Sequence, residues 1–173
     1  MKKFLGVWQM VGFLCTAAVG TLLHFLYDWI PLAPIALISA VNESIWEHMK
    51  LLYVPMLLCA LVQRRFFREA GFWQAKLWGF LLGLTVIPVL YYTYTGSLGV
   101  SADWFNITIF FIAAGMAFRL ETWLLQREKK GKLPNAWALG LILLIGVLFA
   151  VFTFAQPQIP LFQDPVTGQY GIQ

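Results

Sequence analysis

The chain has 173 residues, 60% of them hydrophobic and 17% aromatic, with only 12% charged. Soluble domains carry about a quarter charged residues, so this composition excludes a water-covered surface and makes lipid the solvent. The net charge of +4 does not point to nucleic acid, because the basic residues gather in clusters beside apolar segments, as cytoplasmic loops do.

Met1-Lys2-Lys3 ahead of an apolar run opens like a signal peptide. The run continues over residues 4–26, which at about 1.5 Å per residue crosses a hydrocarbon core of about 30 Å. It reads as a retained first span. His24 and Asp28 stand at its far end, four apart on one helix face. Pro31 and Pro34 interrupt, and residues 33–41 are apolar but too short to span, an interfacial or re-entrant piece. Cys15 and Cys59 lie inside apolar runs, so no disulfide framework is expected.

The heptapeptide Asn42-Glu43-Ser44-Ile45-Trp46-Glu47-His48 follows. Residues 48–62 make only about 22 Å of helix. The second span must therefore recruit the heptapeptide, which puts Glu43 to His48 in the outer leaflet or its interface, with Pro55 as a kink. A basic cluster of Arg64, Arg65, Arg68 and Lys76 leads into a third span over residues 72–92. Tyr94 to Gly99 has turn chemistry, and Ser101-Ala102-Asp103 reads as a helix start with Ser101 or Asp103 capping. A fourth span runs over residues 104–125, with Arg119 and Glu121 snorkelling or pairing near its end. Arg127 to Lys132 form the last basic cluster, and a fifth span covers residues 136–155. The tail, residues 156–173, holds three prolines and is too polar to span.

The expected architecture is therefore all-α: a five-helix transmembrane domain over 1–155 and an extracytoplasmic tail over 156–173 folded back on it. Lys2, Lys3, Arg64, Arg65, Arg68, Lys76, Arg119, Arg127, Lys129, Lys130 and Lys132 fall to one side, leaving Lys50 alone on the other. The positive-inside rule then puts the N-terminus in and the C-terminus out. Asp28, Glu43, Glu47, Asp103, Asp164 and both histidines gather outside. Trp29, Trp46, Tyr91, Tyr92, Tyr94 and Trp104 are expected to form the outer aromatic belt.

Ionisable groups at membrane depth are costly and tend to face the bundle with a function. Read as helix, the heptapeptide puts Glu43 and Glu47 on one face and Ser44 and His48 on the next. His24, Glu43 and His48 supply imidazole and carboxylate donors suited to a divalent metal such as zinc, with an open position for an activated water. A metal-free version uses a carboxyl acid with His48 or His24 as base, and a nucleophilic one pairs Ser44 with His48. The candidate catalytic residues are His24, Glu43, Glu47 and His48. Asn42, Trp46, Asp164 and Tyr170 are the candidate substrate contacts, the last two brought in by the tail. The competing reading is architectural: Ser44-x-x-Glu47 is a capping box, and Asn42 is also a good cap.

The motifs Asn42-Glu43-Ser44-x-Trp46-Glu47-His48-x-Lys50-Leu51 and Ile159-Pro160-Leu161-Phe162-x-Asp164-Pro165-x-Thr167-Gly168-x-Tyr170-Gly171 resemble a family of small bacterial integral membrane proteins of unknown function. The likeness covers nearly the whole chain, His24 included. It implies a multi-pass protein of the bacterial cytoplasmic membrane and carries no mechanism. A more distant similarity is to membrane-embedded, zinc-dependent hydrolases of the alkaline ceramidase type, which use three histidines with an aspartate and a serine. Here only His24 and His48 are present, so carboxylates would have to complete the set. The expected activity is hydrolysis or group transfer on a lipid or lipid-linked substrate. Its alternatives are an ion or small-molecule binding or transport protein, or a subunit of a membrane assembly.

Overall fold

The computed structural model describes residues 2–127 and 133–172. These form an all-helical bundle: α1 Lys2–Trp29, the one-turn α2 Ala33–Ala36, α3 Ile45–Gln63, α4 Phe72–Leu98, α5 Asp103–Gln126 and α6 Asn135–Phe154. A single 3-10 turn, Pro160–Phe162, lies in the tail. All but α2 and the tail turn are long and apolar enough to cross a membrane, giving the five spans expected. Of the basic residues placed on one side, Lys129, Lys130 and Lys132 lie outside the described residues.

Short connections alternate the direction of successive spans. One end of the bundle therefore collects the ends of α1, α4 and α6 with the starts of α3 and α5. Both histidines and most acids are at this end, and Arg64, Arg65, Arg68, Arg119 and Arg127 are at the other. α3 is the hub, packing against α1, α4, α5, α6 and the tail turn. The helix is continuous through Pro55. At 19 residues, or about 28 Å, it matches the hydrocarbon core because its first turn comes from the heptapeptide.

Several boundaries differ from the sequence reading. Only Ile45 to His48 of the heptapeptide are helical, since Ser44 is the N-cap with extended backbone. Glu43 thus precedes the helix and shares no face with Glu47. α4 runs six residues past the expected limit, through the polar stretch to Leu98. Thr93, Thr95 and Ser97 each donate to the carbonyl four residues back, at 2.6, 2.8 and 2.7 Å, so the hydroxyls join the helix instead of breaking it. Gly99, at φ +70°, ends it. α5 is preceded by Ala102 with no side-chain cap, not by Ser101 or Asp103. Trp29 and Trp104 are exposed as an aromatic belt requires, but Trp46 and Tyr91 are buried.

Charge is also drawn inward. Lys76 and Glu121, expected near the basic surface, are buried and pair at 2.5 Å. Lys76 also donates to Gln63 Oε1, and Gln63 Nε2 to the Trp8 carbonyl at 2.9 Å. This ties α1, α3, α4 and α5 together at one end. Glu47 and Lys50 pair at 2.5 Å at the other, both fully buried. Ionisable groups survive at such depth only when paired and hydrogen-bonded.

Candidate metal site and its cavity

Local hydrogen bonding explains why Glu43 leaves the helix. Ser44 Oγ accepts from the Glu47 amide at 3.4 Å, which starts α3. The reciprocal half of a capping box is missing. Ser44 N donates to Asn42 Oδ1 at 3.0 Å, while the Glu47 carboxylate accepts from Val41 N at 3.2 Å and from Lys50. Glu43 is left between the cap and an Asn42-anchored turn, its side chain turned toward α1.

There it meets both histidines. Glu43 Oε1 lies 3.6 Å from His24 Nε2, and Oε2 lies 3.6 Å from His48 Nε2. The imidazole centroids are 5.4 Å apart, and one donor atom from each of the three residues lies within 4.8 Å of the other two. His48 Nδ1 is 2.9 Å from the Ser44 carbonyl. A carbonyl only accepts, so Nδ1 carries the hydrogen and, in the neutral ring, Nε2 presents its lone pair to Glu43. Two acceptors then face each other at 3.6 Å, an arrangement that a shared proton, a donating water or a cation would satisfy. This Nδ1–carbonyl arrangement orients metal-binding histidines in general. His24 Nδ1 is buried without a partner among the described residues.

The donor set fits a divalent metal: two imidazoles and a carboxylate suit zinc, and three protein ligands leave one tetrahedral position open. Zn–N bonds of about 2.0–2.1 Å would bring the donors to roughly 3–4 Å from one another, a range in which each Nε2 already stands relative to Glu43, at 3.6 Å.

The other singled-out residues are placed apart from this point. Glu47 is buried, its Oε2 shared between Lys50 and Val41 N. Lys50 also donates to the Ala36 carbonyl at 2.7 Å and to Thr153 Oγ1 at 2.9 Å, so its three hydrogens all have acceptors. Trp46 packs against Phe149, Phe152 and Phe162 at centroid distances of 4.5, 5.6 and 4.7 Å. Asn42 Nδ2 donates to the Gly171 carbonyl at 2.9 Å, tying the heptapeptide to the tail. Asp164 is buried and accepts from the amides of Val166 and Thr167 at 2.7 and 3.3 Å, closing its own turn. Tyr170 bridges to Gln163 across that turn.

A cavity of about 210 Å³ opens beside Glu43 and His48. Tyr91 of α4, Asp103 and Asn106 of α5, and Val166 of the tail help to line it. Sequence reasoning missed these α4 and α5 residues, because Ser101 to Asp103 also read as a helix start. The available signal was a run of polar side chains on the histidine side. Asn106 Oδ1 accepts from the Tyr94 hydroxyl, and Asn106 Nδ2 donates to Ser101 Oγ at 3.2 Å, so this wall is held rigidly.

No curated protein and no solved structure matches the chain. A family model covering residues 2–172 does match, and the chain belongs to that family of unknown function, DUF6512.

Proposed function

We propose that this is a membrane-embedded, metal-dependent hydrolase or transferase acting on a lipid or lipid-linked substrate. The observation that carries the reading is the convergence of His24, Glu43 and His48 on one point, with Glu43 and His48 lining a cavity. A metal held there would supply Lewis acidity and an activated water. The chain's own residues do the rest. The Ser44 carbonyl fixes the His48 ring, Glu43 spans both imidazoles, and the tail at Val166 helps to cover the cavity. Glu47 and Lys50 then serve as structural supports of the loop, not as acid or base.

An ion-binding or transport role is the second reading. Along α3 the lining of this cavity includes Ile45 and His48, while Pro55, Leu58 and Gln63 line a separate apolar pocket that shares no residue with it, which supports a reaction chamber over a continuous path. The charge asymmetry supports placement with the N-terminus inside and this site outside, and the motif resemblance supports a bacterial cytoplasmic membrane.

The test is turnover. Metal-loaded protein in nanodiscs is incubated with a panel of lipid esters and lipid-linked phosphates, and products are read by mass spectrometry. Release of a lipid fragment that is lost in His48→Ala and on chelation is expected. Metal uptake into sealed vesicles with every lipid intact would overturn the enzyme reading in favour of transport.

A further inference from the structure

We infer that the cavity beside His24, Glu43 and His48 receives an ammonium group, carried on a lipid head. The inference rests on the proposed function for its catalytic setting but on a different wall of the cavity for its chemistry. Among the described residues the lining includes two carboxylates, Glu43 and Asp103, and neither lysine nor arginine. Lys50, the base α3 carries near this end, is unavailable: Glu47, the Ala36 carbonyl and Thr153 occupy all its hydrogens. Among the described residues Asp103 forms no ion pair. A divalent metal on His24, Glu43 and His48 would carry one positive charge beyond that of Glu43, suited to a head's phosphate, and would leave Asp103 for the ammonium.

The uncharged lining fits the same guest. Tyr91 and Phe110 are among the lining residues, and carboxylates beside aromatic rings are the combination that recognises ammonium groups. Asn106 is pinned by Tyr94 and Ser101, which keeps a polar rim beside Asp103. Ile45, Ile87 and Ile109 supply apolar lining for the carbon skeleton next to the head. A head without an ammonium would leave Asp103 with no cationic partner in the cavity, which selects against it.

The experiment is native mass spectrometry of the full chain in neutral detergent, titrated with phosphatidylethanolamine or phosphatidylglycerol of identical acyl chains. The ammonium lipid should be retained about tenfold more tightly, the scale of one charge-assisted hydrogen bond. Asp103→Asn should bring the two lipids to within about twofold of each other, while Asp103→Glu keeps the preference. Equal retention by the unaltered chain, or a preference for the glycerol head, overturns the inference. Free ethanolamine is added as competitor. Displacement only at large excess assigns the ammonium to a lipid, whereas equal potency overturns the lipid assignment in favour of a soluble amine. Repeating the titration after chelation and with His48→Ala separates the two proposals. An ammonium preference that survives without any metal leaves this inference standing while the metal enzyme fails. Bound metal without the preference does the reverse.

Discussion

Glu47 and Lys50 stand three residues apart on α3 and are both fully buried. Between them they hold Val41, Ala36 and Thr153, and so fasten the segment around α2 and α6 onto the central helix. Removing one member strands the other charge in the interior, at a cost of about 3–5 kcal/mol. Lys50→Met should therefore lower the thermal unfolding midpoint in detergent sharply, and the double change Lys50→Met with Glu47→Leu should recover much of the loss. Glu47→Gln keeps an acceptor for Val41 N, so protein that still folds should retain its metal. A Glu47→Gln protein that is fully stable yet metal-free would move Glu47 into the site. The identity of the three converging donors was legible in the sequence, but the separation of Glu43 from Glu47 was not. Spacing alone put both on one helix face. It was Ser44 ending the helix between them that sent one outward to the histidines and the other inward to Lys50.

At the scale of helices, the five spans were readable because each is long, apolar and bounded by basic clusters or prolines. Their ends were less so. The threonines and serine of α4 looked like a turn, and only their bonds to the preceding carbonyls show why the helix continues. Nor could composition show that Lys76 reaches inward to Glu121, since a lysine following a basic cluster reads as surface. The contact needs Gly79: a Cβ there would lie 2.5 Å from Glu121 Cγ and Oε1. Small residues let membrane helices approach in this way. Gly79→Ala should cost about 1–3 kcal/mol through overpacking, read as a lower unfolding midpoint with metal content unchanged in the folded fraction. The cap residue of α3 acts twice, its Oγ starting the helix and its carbonyl, which Ser44→Ala leaves in place, setting the His48 ring. Ser44→Ala should cost about 1 kcal/mol of stability, and Ser44→Thr should restore it; no loss in Ser44→Ala would remove the cap from the account.

Over the whole molecule the polar groups are divided between two ends, and the tail covers the one that holds the histidines. Phe162 sits against Trp46 and Phe152, at 4.7 and 5.5 Å between centroids, and Asn42 holds Gly171. Phe162→Ala removes a buried aromatic anchor, a change worth about 3–5 kcal/mol in a packed core. Limited proteolysis should then cut after α6 while the five spans stay intact; an unchanged cleavage pattern would mean that the tail is held by other contacts. The aromatic residues of the tail hinted at docking, but its partner could not be read from sequence, because Trp46 looked like an interfacial residue. Burial of Trp46 turns the heptapeptide into two structures at once: a core face under the tail and an outer face toward the cavity.

The most direct measurement is metal content by mass spectrometry on purified, detergent-solubilised protein after exposure to zinc and removal of excess. About one ion per chain is predicted for the unaltered sequence, following a three-ligand site with an open position. Loss of the ion is predicted in His24→Ala, Glu43→Gln and His48→Ala, together with release on acidification as the imidazoles take up protons. Folded protein that binds no divalent metal, or that binds it equally well without these three side chains, would contradict the account.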